Sequence, residues 1–289
     1  MNKCFVTKLK KSVQSTADLP YFGEVTMTLK NDRNDDNAVI VVQTASDGIM
    51  FVSENKNLSF TSTTSDLTNK LIVPPNSKKE VYFGGNEETY TVKLVSKYAN
   101  DVILSNKKSV SNKIVINIDD LKYTNFKKLD LWGFPLVGNI SSIATMDKLT
   151  VFRSTYDSLV GDISSLKEKR NLTLFGAYSS KVIGDISNLS NNVGLTSIIL
   201  LNNGITGKIE SLVEPLFKGK EDNNSVLRII CNEHVTLNNV VVGNNVSILI
   251  EFFNTRCTIK KDNVTIATYE NNAWTYESIE GMVNSMLGE

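Results

Sequence analysis

The sequence predicts a mainly β chain in three parts. These are an antiparallel β-sandwich-like domain over residues 1–115, a solenoid of stacked coils about 23 residues long over 116–237, and a β cap with a hairpin and a short helix over 238–289. Three observations carry this. A short motif recurs at a fixed interval in the middle of the chain. Period-2 alternation in short pieces fills the first part. Asparagine is abundant, with 33 of 289 residues, and asparagine favours turns and tolerates left-handed backbone. An Asn-rich chain of this length reads as many short elements joined by many turns.

The repeated motif is GNISSI at Gly138–Ile143, GDISSL at Gly161–Leu166, GDISNL at Gly184–Leu189 and GKIESL at Gly207–Leu212, with successive glycines 23 residues apart. A further copy without its glycine, Ile118–Leu121, precedes them. Between the motifs the apolar residues run Phe126-x-x-Leu129-x-Leu131-x-x-Phe134-x-Leu136 and Leu195-x-x-Ile198-x-Leu200-x-x-Asn203-x-Ile205. This pattern resembles the leucine-rich-repeat template, in which each coil contributes a short strand and buries its apolar face only against its neighbours. Asn203 stands where that template places a turn-closing asparagine. The two intervening copies are looser. They are matched through Leu149 and Val151, and through Leu172 and Leu174, with about three extra residues before each glycine. Leu227-x-Ile229-x-x-Asn232 suggests another strand.

On this match Leu129, Leu131, Leu149, Val151, Leu172, Leu174, Ile198 and Leu200 point into the core. A strand alternates its faces, so Asp130, Thr150, Thr173, Ile199 and Arg228 point outward. So do the residues just after the core positions: Trp132, Phe152, Phe175, Leu201 and Ile230. These five form an apolar column on the concave sheet, the candidate binding site. Either a partner protein or a sugar face docks there, or another segment of the chain covers it.

The flanks are strand-like. Val25/Met27/Leu29, Ala38–Val42, Ile49–Val52, Leu71–Val73, Tyr90–Val95 and Lys113–Ile118 alternate between turn-rich stretches. Asp32–Asn37 matches the first positions of a calcium loop but lacks its Gly and its closing Glu, so a plain turn is the better reading. After residue 238, Val240–Val242 and Val246–Phe253 can close the solenoid's open end. Lys261-Asp262-Asn263 reads as a hairpin turn, Asn271-Asn272 leads into Trp274–Tyr276, and Ser278–Leu287 reads as a small amphipathic helix.

Composition excludes several functions. Thirty-one basic against 31 acidic residues give no electrostatic reason to bind nucleic acid. No run is apolar enough to enter or cross a membrane, and no secretory h-region follows Met1. One His and three widely spaced Cys (Cys4, Cys231, Cys257) argue against a metal site and for free thiols; a Cys231–Cys257 bridge is the one alternative. There is no nucleophile elbow, P-loop or dinucleotide fingerprint. Asp162 and Asp185, one repeat apart, read as a row of turn residues. The expectation is a protein with no catalytic residues, no metal and no cofactor.

The opening Met1–Lys10 (MNKCFVTKLK), the later Phe22-Gly23-Glu24 and the Gly-Asp-Ile-Ser-x-Leu repeats together resemble proteins of crAss-like and related Bacteroidales bacteriophages. That resemblance implies a virion component, a head fibre or capsid-decorating protein made in the bacterial cytoplasm. Its implied partners are capsid or other virion proteins, further copies of itself, and a host surface glycan or protein. A bacterial leucine-rich-repeat interaction or adhesion protein is the alternative.

Overall fold

The computed structural model describes residues 21–29, 38–44, 49–53, 59–61, 70–73, 76–84, 89–96, 103–106, 114–122, 126–131, 136–155, 158–219 and 225–277. The stretches 1–10 and 32–37, Trp132 and the helix expected over 278–287 lie outside them. The chain divides into two compact units, one ending at Leu149 and one beginning at Thr150.

The first unit contains eleven strands among the described residues. These are β1 (Tyr21–Leu29), β2 (Ala38–Gln43), β3 (Ile49–Ser53), β4 (Ser59–Thr61), β5 (Lys70–Val73), β6 (Lys78–Gly84), β7 (Thr89–Ser96), β8 (Ile103–Asn106), β9 (Ile114–Asn117), β10 (Lys128–Leu131) and β11 (Leu136–Asn139). The first nine form two antiparallel sheets, ordered β9-β1-β7-β3-β5 and β8-β2-β6-β4. The first repeat then adds one parallel strand to each: β10 on β8 (Leu129 opposite Leu104) and β11 on β9 (Leu136 opposite Ile116). The expected boundary at 115/116 therefore falls inside β9. An open solenoid end exposes apolar core, and these N-terminal sheets supply the strands on which the first coil stacks.

The second unit holds β12 (Val151–Thr155), β13 (Ser158–Asp162), β14 (Leu174–Tyr178), β15 (Lys181–Asp185), β16 (Ser197–Ile199), β17 (Gly204–Lys208), β18 (Ser225–Cys231), β19 (Val235–Leu237), β20 (Val240–Val241), β21 (Val246–Phe252), β22 (Arg256–Lys261), β23 (Val264–Glu270) and β24 (Ala273–Tyr276). Strands β12, β14, β16 and β18 pair in parallel, and β21 to β24 continue that sheet antiparallel. Strands β13, β15, β17 and β19 form a second parallel row that ends in β20. From β12 to β16 the paired residues are 23 apart, as in Phe152–Phe175–Ile198.

The motif acquires a physical reason. Asp162 and Asp185 cap the 3-10 turns Ile163–Leu166 and Ile186–Leu189 by accepting from Ser164 N (2.7 Å) and Ser187 N (2.8 Å). The next coil's glycine lies against that carboxylate. Gly184 has φ +119°, and a Cβ there would stand 2.5 Å from Asp162 Oδ1; Gly207 has φ +120° and meets Asp185 at 2.8 Å. Only glycine tolerates both the backbone and the approach.

Asparagine is spent in two ways. Two-residue hairpins at Asn238-Asn239, Asp262-Asn263 and Asn271-Asn272 have positive φ at both positions, 50–66°, which is the type I′ turn. Asn192, Asn203 and Asn232 instead sit inside the fold and bond backbone carbonyls of the coil before.

The core corrects the expected register. Leu129, Leu131, Leu149, Leu172, Ile198 and Leu200 are buried as expected. Phe152 and Phe175, expected on the surface column, are wholly buried and stack at 6.2 Å. Val151 and Leu174, expected inside, are half-buried on the opposite face. Counting strictly by 23 aligns Leu149 and Leu172 with Phe126 and Leu195, one row earlier. Phe152 and Phe175 then take the row of Leu129 and Ile198, while Ser154 and Ala177 take the row of Leu131 and Leu200. Two leucine-sized residues are replaced by one large and one small residue. Volume is roughly kept while the Leu-x-Leu signature is lost.

Candidate docking face

The outer face of the β12–β14–β16–β18–β21 sheet is assembled by pairing. Val151 lies opposite Leu174, Gly176 opposite Ile199, and Ile199 opposite Ile230. Leu174 lies opposite Ser197, so Ile199 is its diagonal neighbour, two residues along. Arg228 lies opposite Leu249, which makes Leu249 diagonal to Ile230. The result is an aliphatic diagonal, Val151–Leu174–Ile199–Ile230–Leu249, crossing five strands. Ile199 is 8% exposed and the other four are half-buried. Gly176 leaves a gap that Arg153 and Ile199 lean over; a Cβ there would meet the Arg153 side chain at 3.3 Å. Along one margin Thr173 and Thr196 each donate a hydroxyl hydrogen to the threonine carbonyl one coil before, at 2.9 and 3.1 Å. Arg228 is exposed within the diagonal, and Lys260 is held by Glu251 at 2.7 Å.

Of the five residues expected to form a column, Ile230 belongs to this diagonal and Leu201 is half-buried just past β16. Phe152 and Phe175 are core, and Trp132 lies outside the described residues. Val151 and Leu174 were assigned to the wrong face, and Leu249 was not singled out. The glycine-to-glycine spacing, carried back to each strand, is the signal that places the first two correctly. Leu249 comes from an antiparallel strand outside the repeat and has no such signal.

Other chemically notable groups serve the fold. At the C-terminal end, Trp274 Nε1 donates to Glu214 Oε1 (2.6 Å) and the Tyr276 hydroxyl donates to Glu210 Oε1 (2.9 Å). Both carboxylates belong to the helix Ile209–Gly219, so β24 is fastened onto it. Tyr269 joins the group, 5.1 Å from Trp274 and 5.8 Å from Phe217. Burial, then the hydrogen bond to Glu210, holds the Tyr276 phenol well above the usual range. Glu210 Oε2 is buried without a hydrogen-bond partner, and nothing in the structure explains it.

Burial pushes the Cys231 and Cys257 thiols up to about 12, which makes them poor nucleophiles. Both are free. They oppose Val246 and Phe252, six residues apart along β21 or roughly 20 Å, so the alternative of a bridge between them fails on geometry. His234 is exposed, 3.7 Å from Glu233. Among the described residues no group of three or more His, Cys, Asp or Glu is placed to hold a metal ion, and no helix is long and apolar enough to cross a membrane.

No protein-family model matches the chain, and no curated protein matches it. Solved structures with partial likeness include three leucine-rich-repeat proteins or internalins. The plant peptide hormone receptor RGFR1, solved in complex with RGF2, is 25% identical with a TM-score of 0.34, over 41% of this chain and 18% of its own. The leucine-rich-repeat ectodomain of the receptor kinase SOBIR1 from Arabidopsis thaliana is 23% identical with a TM-score of 0.33, over 39% and 64%. The internalin inlF from Listeria monocytogenes is 21% identical with a TM-score of 0.30, over 41% and 32%. This chain spans less than two thirds of each.

Proposed function

We propose that this chain is a non-enzymatic scaffold that docks a partner polypeptide on the outer face of β12, β14, β16, β18 and β21. The observation that carries the reading is the aliphatic diagonal from Val151 to Leu249. A solvated sheet face carries polar residues at such positions, and apolar continuity across five strands is the mark of a surface that is covered in use. The double variant Leu174→Asp, Ile230→Asp tests it. Circular dichroism and melting should show the fold retained, because both side chains lie outside the core, while sedimentation and partner binding should show loss of assembly. Unchanged assembly in a folded double variant overturns the reading.

The finer reading is a virion component, a head fibre or capsid-decorating protein. What supports it is the resemblance of Met1–Lys10, Phe22-Gly23-Glu24 and the repeats to Bacteroidales phage proteins. Its partners are then capsid proteins and further copies of itself, with a host glycan or protein as the outward ligand. Many copies on one particle give avidity even where each contact is weak, which suits a modest apolar face. Mass spectrometry of purified particles should find the chain among the virion proteins; its absence there overturns this finer reading and leaves the docking face standing.

A further inference from the structure

We propose that Asn203–Gly204 is a latent deamidation site that the folded coil holds shut and that opening of the coil fires irreversibly. It is the only Asn-Gly pair in the 289 residues. In a flexible chain this pair is the most reactive of its kind, because glycine puts no side chain in the way of its own backbone nitrogen. Deprotonated Gly204 N attacks Asn203 Cγ, and the new C–N bond closes a five-membered imide. The Cγ–Nδ2 bond breaks and ammonia leaves with the proton. Water then opens the imide at either carbonyl, giving aspartate or isoaspartate at position 203.

The fold opposes the first step. Asn203 Nδ2 donates to Ala177 O at 2.8 Å, and Asn203 Oδ1 accepts from Ile205 N at 3.0 Å and from Asn232 Nδ2 at 2.9 Å. The residue is 6% exposed, and Gly204 begins β17, opposite Ile183 of β15. Attack must come from above the carboxamide plane. The carboxamide therefore has to turn and give up the Ala177 and Asn232 bonds together, where bulk base does not reach. The two donors on Oδ1 polarise the carbonyl, which helps attack, but they also fix the plane that has to turn.

The product cannot re-enter the coil. Either isomer lacks the Nδ2 donor, so Ala177 O would face a carboxylate oxygen in a buried place. Isoaspartate also lengthens the backbone by one carbon just after Asn202, whose φ is +50°, and displaces β17 from its pairing.

The test holds the full chain in mildly alkaline buffer at body temperature, with and without denaturing urea, and follows position 203 by peptide mass spectrometry with isoaspartate detection. Native chain should deamidate there roughly 100-fold more slowly or better, since a coil inside a stable unit is rarely open. Equal or faster reaction in the native chain overturns the inference. Chain aged in urea is then returned to native buffer. Its intact fraction should recover the original unfolding midpoint and its deamidated fraction should not; full recovery by the deamidated fraction overturns the irreversible step.

Discussion

Phe175→Ala lowers unfolding free energy by about 3–5 kcal/mol, while Leu174→Ala, one residue earlier, costs about 1 kcal/mol. Phe175 has no exposed surface, lies between Phe152 and Ile198 in the pairing order and stacks on Phe152 with rings 20° from parallel. Its neighbours cannot collapse into the space it leaves. The second core position of its coil is Ala177 and that of the coil before is Ser154, both already small and wholly buried. The loss is thus the transfer term plus a cavity that persists. Leu174 faces outward and is half-buried, so its truncation forfeits only part of its burial. Urea melts of the two variants give the comparison. If Leu174→Ala is the more damaging, the outer and inner faces of β14 are reversed, and the aliphatic diagonal goes with them.

What the sequence made legible was whatever a local rule enforces. Asp162 and Asp185 of Gly-Asp-Ile-Ser mark turns, each carboxylate accepting from the backbone N–H two residues on. Asp262-Asn263 and Asn271-Asn272 mark hairpin turns. Each is decided by neighbours in sequence, so each is read from a few residues. The strand register inside the looser coils was not local. It depends on Phe152 sharing a coil with Ser154 and Phe175 with Ala177, a trade of volume that hides both from a search for Leu-x-Leu. The fastening of β24 was further from view, since Trp274 and Tyr276 meet Glu214 and Glu210 across 60 and 66 residues. The docking face inherits both limits. Its repeat-borne members follow from spacing once the register is right, but Leu249 enters only through the antiparallel pairing of β21 with β18.

Asn232→Ala costs roughly 2–4 kcal/mol, because it removes all the hydrogen bonds of one buried carboxamide together. The Asn232 carboxamide is fully buried. Its Nδ2 donates to Ile205 O (2.9 Å) and to Asn203 Oδ1 (2.9 Å), with a longer contact to Asn203 O (3.3 Å), and its Oδ1 accepts from His234 N (2.9 Å). Alanine leaves Ile205 O and His234 N without these partners, and water has little access to replace the bond at Ile205 O, which is buried. Asn192→Ala is the internal comparison: Asn192 is equally buried but donates one bond, to Leu166 O at 3.2 Å, and its Oδ1 has no partner. Its loss should be nearer 1 kcal/mol. Asn232→Asp separates hydrogen bonding from shape. Burial there disfavours the carboxylate and raises the folded-state pKa above the ordinary value of about 4. When the folded pKa of an acid is raised, the unfolded chain ionises first, so relative to the unsubstituted chain this variant should lose stability as pH rises from that ordinary value through the raised folded one. Urea melts at acidic and neutral pH measure the slope. A flat profile for Asn232→Asp, or equal losses for Asn232→Ala and Asn192→Ala, would mean that the asparagine ladder fills space between the coils without its hydrogen bonds holding them.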